Sequence, residues 1–480
     1  MSLKKQAVSG LLWTFGQQFS VQIINFIVQI ILARILLPED FGLIAMLSVF
    51  IAVGVSLTDS GLTSSLIRTP NVDQGDYSTV FFMNLIGSIA IYLLLFITSP
   101  LIADFYNQPI LIDIIRIYTL TFIIRAFAQV QQTKLTKEMN FKLQMMIQIP
   151  SVLVSGICGI AMAYQGYGVW TLVWMNLIQT GIVSIQLWIR TKWVPSFIFD
   201  WSKLKYHFNF GYKLTLSGLL STVFNNIYNL VIGKYFSPTV LGYYNRADTL
   251  RMFPIQNIST ALNKVTYPMF ASIQDDNVKL KTAYKKLMTQ VMYWLAPLIV
   301  LLVILAVPLF RFVLTEKWLP AVPYFQLLCV GGLLYPLHAY NLNILNVKGR
   351  SDLFLRLEII KKIFITIGIV CVIPFGIYGL LYFQVFSSFI SFYINTYYSG
   401  RMINYTIWEQ MKDISPMLLL SISIGFVIFS SLRYLYMLNS LPDLLFIVIV
   451  SLAFMVLYLV FSYLLRIPAL FDFKKLILKR

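Results

Sequence analysis

The side chains of this chain that could do chemistry are basic and carboxamide groups recurring at helical spacing inside apolar sequence. Lys213, Ser217, Ser221, Asn225 and Asn229 fall every fourth residue and make one slowly turning polar stripe on a helix. Gln17, Asn25 and Gln29 form a similar stripe near the N-terminus, with Gln18 and Gln22 beside it. Arg246, Asn257 and Lys264 lie within about 20° of one another around a helix that turns about 100° per residue, and Pro254 between them predicts a kink. Thr121, Arg125, Gln129 and Gln132 share one further helical face. A guanidinium presents a planar fork to phosphate, whereas an ammonium acts as a point charge. The chemistry these groups suit is the holding of an anionic substrate. Amide stripes also glue helices to one another, and for the first helix both readings stay open.

Acids that could neutralise these cations are few: within the apolar segments only Asp59, Asp113 and Asp248 qualify. Asp59 shares a face with Ser56 and Thr63, and its readings are a protonatable coupling group or a residue that caps a helix or pairs with Arg34 or Arg125. Asp248 is the second candidate for ion coupling. His338 stands in Tyr335–Asn343 without Asp, Glu or Cys at ligand spacing, so it reads as a hydrogen-bonded helix residue with no metal or catalytic role. Cys158, Cys329 and Cys371 lie in separate apolar runs. Gly233-Lys234 lacks the upstream glycine and following Ser or Thr of a phosphate-binding loop, so no ATPase is built in and no cofactor is expected. Glu39-Asp40 is the one pair that an acceptor-activating glycosyltransferase could use, but no long loop outside the apolar segments exists to build a pocket around it.

The elements that position these residues follow from composition. Of 480 residues, 58% are hydrophobic and 12% charged, against about 25% charged in soluble chains. The chain is therefore an all-α integral membrane protein, since its unbroken apolar runs do not alternate as barrel strands do. Breaks at charged, Pro and Gly clusters predict about fourteen spans, near 7–33, 41–67, 78–103, 110–133, 144–164, 168–189, 208–235, 241–270, 284–314, 320–346, 356–375, 378–400, 414–432 and 441–465. The first is read as an uncleaved span. A net charge of +18 suggests nucleic acid or anionic lipid. Position decides between them: 26 of the 37 basic residues fall in the tails and the loops after even-numbered spans, seven on the opposite side, and Arg116, Arg125, Lys213 and Lys264 inside spans. Both termini are thus expected in the cytoplasm, with the loop charges facing anionic phospholipid headgroups rather than nucleic acid.

Ile31–Gly42 aligns without a gap on Val231–Gly242, superposing Arg34 on Lys234, Pro38 on Pro238 and Gly42 on Gly242. The preceding helices carry amides at the same offset, Asn25 with Asn225 and Gln29 with Asn229. The repeat predicts a six-helix lobe over 1–192, an interfacial linker over 193–207, a second six-helix lobe over 208–402, and two further helices with a basic tail over 403–480. Parallel repeats around a polar centre are what alternating access requires.

Ala33–Gly42, Asp59–Leu62, Leu241–Asp248, Tyr267-Pro268 and Glu316–Ala321 resemble the polysaccharide-transport branch of the multidrug/oligosaccharidyl-lipid/polysaccharide exporter superfamily, the Wzx-type flippases. The resemblance covers nearly the whole chain. It implies a MATE-like fold that opens alternately to cytoplasm and outside in the bacterial inner membrane, a polyprenyl-pyrophosphate-linked oligosaccharide as cargo, H⁺ or Na⁺ as coupling ion, and a glycan polymerase or export machinery as partner. The family's cationic lumen carries over to Arg125, Lys213, Arg246 and Lys264 for the pyrophosphate, with the amides Gln17, Asn25, Gln29, Asn225, Asn229 and Asn257 meeting sugars. Peptidoglycan-precursor flippases are similar but have arginines where this chain has Gln17, Gln18 and Gln22, which argues against that cargo. The alternatives are a drug/cation antiporter of the same superfamily, disfavoured by the excess of bases over acids within the spans, and a membrane glycosyltransferase or polymerase using Glu39 or Asp40.

Overall fold

The computed structural model describes residues 3–59, 61–434 and 441–472, with the side chains of 3–12, 214, 258, 260–265 and 432–434 outside that description. It is 88% helical, and no strand occurs among the described residues. Helices satisfy every backbone donor and acceptor within one segment, which a bilayer without water demands. The chain divides into two compact units, Met1–Gly242 and Tyr243–Arg480.

The first unit contains α1 (Leu3–Ile35), α2 (Pro38–Met46), α3 (Ser48–Asp59), α4 (Leu62–Arg68), α5 (Gln74–Tyr106), α6 (Leu111–Tyr118), α7 (Leu120–Lys137), α8 (Phe141–Tyr164), α9 (Val169–Thr191), α10 (Trp201–Asn225) and α11 (Ile227–Tyr235). The division falls inside α12 (Pro238–Ser272). The second unit continues with α13 (Asn277–Ile304), α14 (Ala306–Leu314), α15 (Val322–Gly332), α16 (Tyr335–Val347), α17 (Ser351–Val372), α18 (Gly376–Ile403), α19 (Ile407–Tyr434) and α20 (Asp443–Leu464).

Among the described residues nine helical segments are long and apolar enough to cross a membrane, and α2 with α3, bent by 42°, makes a tenth. One of the nine, Ser351–Ile403, holds α17 and α18 joined through a short 3-10 turn, two of the expected spans. The expected spans near 110–133, 208–235 and 241–270 are helical too, and each carries one of the polar stripes. Several spans are subdivided where a single helix is expected. The second is three helices because Leu47 closes α2 and Gly61, at φ 66, turns the chain after Asp59. The seventh breaks at Asn226, and the fourth at Thr119.

In the first unit α8 packs between α1 and α9, α7 lies against α5 and α9, and α10 rests on α3, α4 and α5. Leu62, Leu66, Val80, Phe81, Val130 and Trp193 form one apolar core there. In the second unit α13 packs on α19, and α18 gathers α15, α16 and α17 around a core that includes Phe270, Tyr284, Tyr340 and Tyr405. The outward faces stay apolar: on α5 Ile97 and Leu101 are 72% and 69% exposed, as helix surfaces facing lipid tails must be.

The repeated turn has a structural counterpart. Pro38 and Pro238 each open a helix, where the missing N–H costs nothing. A Cβ on Gly42 would stand 1.8 Å from the Pro238 carbonyl oxygen, and one on Gly242 would stand 1.9 Å from that of Pro38. The paired positions therefore pack on one another reciprocally, residue against counterpart, as across a local two-fold.

Candidate functional site

Within the first unit the carboxamide faces of several helices converge. On α7, Arg125, Gln129 and Gln132 recur at spacings of four and three residues and share one face, as their sequence positions predict. Arg125 and Gln129 line two cavities of about 330 Å³ each. The first is completed by Ser56, Thr58, Asp59 and Ser64 from α3 and α4, and by Thr215 of α10. The second is completed by Gln132, Gln148, Asn176, Gln179 and Thr180, from α7, α8 and α9. A third cavity, of about 500 Å³, is lined by Thr14, Gln17, Gln18, Gln22 and Asn25 of α1 and by Gln148. Gln148 thus joins the first-helix amides to the α7–α9 pocket.

Asp59 ends α3, and its Oδ1 accepts hydrogen bonds from the Thr63 hydroxyl and from Gln129 Nε2 at 3.2 Å. The same amide nitrogen donates to Thr63 Oγ1 at 3.1 Å. The expected pairing of Asp59 with Arg34 or Arg125 does not form: no ion pair among the described residues includes Asp59, which is held instead by neutral donors. Arg125 is likewise without a carboxylate within 4.0 Å among the described residues, and among those residues it is the one cation lining these cavities.

The remaining candidates fall elsewhere. Gln29 is half-buried on α1 outside the lining set, and Asn225 is exposed on α10. Asn229 donates to the Ser48 hydroxyl at 3.2 Å, a glue contact. Lys213 is exposed, with its ammonium 5.9 Å from the Tyr212 ring centroid. In the second unit Arg246 is 5% exposed, its guanidinium 5.6 Å from the centre of the Trp318 ring. Asp248 pairs with Arg251, whose guanidinium also donates to the Leu328 carbonyl at 2.8 Å. Asn257 donates back to the Phe253 carbonyl at 2.8 Å, beside Pro254. The side chain of Lys264 lies outside the described residues. His338 Nε2 lies 3.1 Å from the Ser388 hydroxyl, the hydrogen-bonded helix role expected of it. Asp40 caps its own helix, its Oδ2 accepting from Leu37 N at 2.9 Å.

Two features escape sequence reasoning. The first is the contribution of α8 and α9: Asn176, Gln179 and Thr180 stand at i, i+3 and i+4, a face that spacing alone could have exposed. The second is the docking of the linker. Trp193 Nε1 donates to Gln74 Oε1 at 2.7 Å, Ser196 N to Ser78 Oγ at 3.0 Å, and Asp200 N to Thr79 Oγ1 at 3.1 Å. Lys203 bridges Asp73 and Asp76, the capping box of α5. His207, fully buried, places Nε2 3.2 Å from Asp76 Oδ1 and Nδ1 2.8 Å from Ser65 Oγ. Because a carboxylate only accepts, Nε2 carries the proton and Nδ1 accepts from the serine. Burial holds this imidazole below the usual histidine range, against the opposing pull of Asp76. Trp193 is buried in this docked segment, whereas Phe197 is 99% exposed and Trp201 74%.

Residues 31–323 match the family described as Polysaccharide biosynthesis protein. The lipopolysaccharide biosynthesis protein WzxC of Escherichia coli (strain K12) is 26% identical over 439 residues, covering 89% of each chain. The teichuronic acid biosynthesis protein TuaB of Bacillus subtilis (strain 168) is 28% identical over 355 residues, 73% of each. Among solved structures, lipid II flippase MurJ in its inward closed conformation matches with a TM-score of 0.72 at 16% identity, over 95% of this chain and 98% of that one. An inward-facing MATE family multidrug transporter of the MOP superfamily matches at 0.60 and 16% identity, over 83% and 95%. The two structures share the fold of this chain, which is a multi-pass membrane protein.

Proposed function

The chain belongs to the polysaccharide biosynthesis protein family, and from that premise we propose that it carries a polyprenyl-pyrophosphate-linked oligosaccharide from the inner to the outer leaflet of the bacterial plasma membrane. The observation that supports this most is the pair of cavities on α1, α7, α8 and α9 that share Gln148, lined among the described residues by carboxamides and the Arg125 guanidinium. Polar groups at membrane depth are costly and mark the path of a polar cargo. Carboxamides both donate and accept, which matches sugar hydroxyls, while a guanidinium matches a phosphate oxygen pair. In this reading Arg125 meets the pyrophosphate, with Lys213, Arg246 and Lys264 as further cations for the same group. Gln17 and Asn25 meet sugars, and Gln29, Asn225, Asn229 and Asn257 complete the polar path.

The two repeated six-helix lobes would open alternately to the two sides, with both termini in the cytoplasm. Asp59 and Asp248 are the carboxylates through which H⁺ or Na⁺ would couple to the cycle, and a glycan polymerase would receive the cargo. Deleting the chain in a producing strain tests the reading: surface polysaccharide is expected to disappear while the lipid-linked repeat unit accumulates on the cytoplasmic side. Undiminished surface polysaccharide in that strain would refute it.

A further inference from the structure

Trp201 and Lys205 stand one helical turn apart at the start of α10, and Trp408 and Lys412 stand one turn apart at the start of α19 in the second unit. A spacing of four residues puts the members of each pair on one face of their helix. All four side chains are exposed, Trp408 by 82%. An indole on the outside of a membrane protein is favoured at the headgroup level of the bilayer, where its apolar body and its N–H are both accommodated.

The acids of these two helix starts are already committed. On α10 Asp200 accepts from Ser202 N at 2.8 Å, while Lys203 takes up Asp73 and Asp76 of the α5 cap. On α19 Glu409 pairs with Lys281 at 2.9 Å and Asp413 with Lys285 at 2.8 Å. Lys205 and Lys412 have no ion pair or side-chain hydrogen bond among the described residues, so each ammonium is open to an anion from outside the chain. The first pair also lies at the end of an apolar surface. Ile86, Leu93, Ile97 and Leu101 make one exposed row along α5. Phe82, one turn before Ile86 on that row, stacks on Phe197 with ring centroids 6.0 Å apart, and Phe199 meets Trp201 edge to face at 5.4 Å. The lipid-facing row of α5 thus continues through the linker to Trp201, and Lys205 places a charge at its end.

An exposed ring beside an unspent ammonium, present in both units, fits a phospholipid: acyl chains against the ring and the phosphodiester on the ammonium. A zwitterionic headgroup brings its own cation, so an anionic one gains more from the lysine. We propose that each Trp–Lys pair binds the headgroup of an anionic phospholipid. In the proposed topology both helices begin on the cytoplasmic side, where anionic lipids give the leaflet a negative surface. The inference concerns the lipid around the chain and stands whatever cargo the chain carries.

The test reconstitutes the full chain in vesicles of phosphatidylcholine and phosphatidylglycerol, with bromine on the acyl chains of one lipid or the other as a fluorescence quencher. The Trp201 signal is the difference between the parent chain and its Trp201→Phe variant, and the Trp408 signal is obtained in the same way. Phosphatidylglycerol is expected at each ring at about fivefold its share of the vesicle, the gain from one lysine at a membrane surface. Lys205→Gln should restore parity at Trp201 and leave Trp408 enriched, and Lys412→Gln should do the reverse. Lys279→Gln, which removes the same charge from a lysine paired with Asp276 at 3.1 Å, should change neither. Unchanged helical circular dichroism confirms that the variants keep the fold. No enrichment in the parent, enrichment that survives Lys205→Gln at Trp201 or Lys412→Gln at Trp408, or an equal loss with Lys279→Gln would overturn the sites. Displacement of phosphatidylglycerol from the rings by millimolar glycerol 3-phosphate would make them sites for soluble phosphate esters and overturn the lipid assignment.

Discussion

Arg125 has no carboxylate within 4.0 Å among the described residues although Asp59 lines one of its cavities, and the hydrogen bonds of Asp59 explain how this is possible. Thr63 and Gln129 take up the Asp59 oxygen that would otherwise attract the guanidinium. Arg125→Gln is expected to abolish surface polysaccharide at unchanged membrane abundance. Arg125→Lys should retain part of it, because an ammonium keeps the charge but loses the planar fork; immunoblotting of membranes beside polysaccharide quantification checks both. The α7 face was legible from spacing, since one helix carries Arg125, Gln129 and Gln132 in register. Gln148 and Gln179 were not, because their role depends on α8 and α9 turning toward α7, a packing choice that no single helix encodes. The cations of the second unit show the converse: spacing places Arg246 on a polar face, yet its side chain lies over Trp318, and an aromatic partner 72 residues away in sequence leaves no periodic signal.

At the scale of elements, α10 is held by contacts that bring its backbone unusually close to α4. A Cβ on Gly61 would lie 2.5 Å from the Gly211 carbonyl oxygen, and Gly61 has φ 66. Gly61→Ala should therefore lower the melting temperature of the purified protein, through about 1–2 kcal/mol of left-handed backbone strain and the clash with α10. One and two turns earlier on α10, His207 and Lys203 tie the helix to the cap of α5. The His207 imidazole is favoured in its neutral form in the folded chain, so the unfolded chain binds a proton more readily. By linkage this contribution is full above the ordinary histidine pKa of about 6.5 and is lost as pH falls through the lowered folded value. Backbone hydrogen exchange over 193–207, corrected for intrinsic rates, should accelerate from pH 7 to pH 5, and His207→Gln should flatten that dependence. The aromatic residues of this segment were legible in the sequence. Its docking was not, because the partners Asp73 and Asp76 also read as an ordinary helix start.

For the molecule as a whole, apolar composition and Pro and Gly punctuation were enough to set the helical membrane class and most helix boundaries. Breaks within spans escaped them, since Leu47, Thr119 and Asn226 carry no strong turn signal. The repeated Pro-Glu-Asp-Phe-Gly and Pro-Thr-Val-Leu-Gly turns were visible in sequence as counterparts, but their mutual packing through Gly42 and Gly242 appears only in three dimensions. Gly42→Ala and Gly242→Ala should each lower the melting temperature by a similar amount, and the double variant by less than their sum, because either methyl already separates the same two turns. Translocation itself is tested most directly in vesicles reconstituted with the purified chain and its polyprenyl-pyrophosphate-linked repeat unit, by following how fast the glycan becomes accessible to a glycosidase on the far side. Transfer well above that of protein-free vesicles, falling to their level with Arg125→Gln, is the predicted result; wild-type protein that moves no more glycan than empty vesicles, or Arg125→Gln protein that moves it at the wild-type rate, would contradict the account.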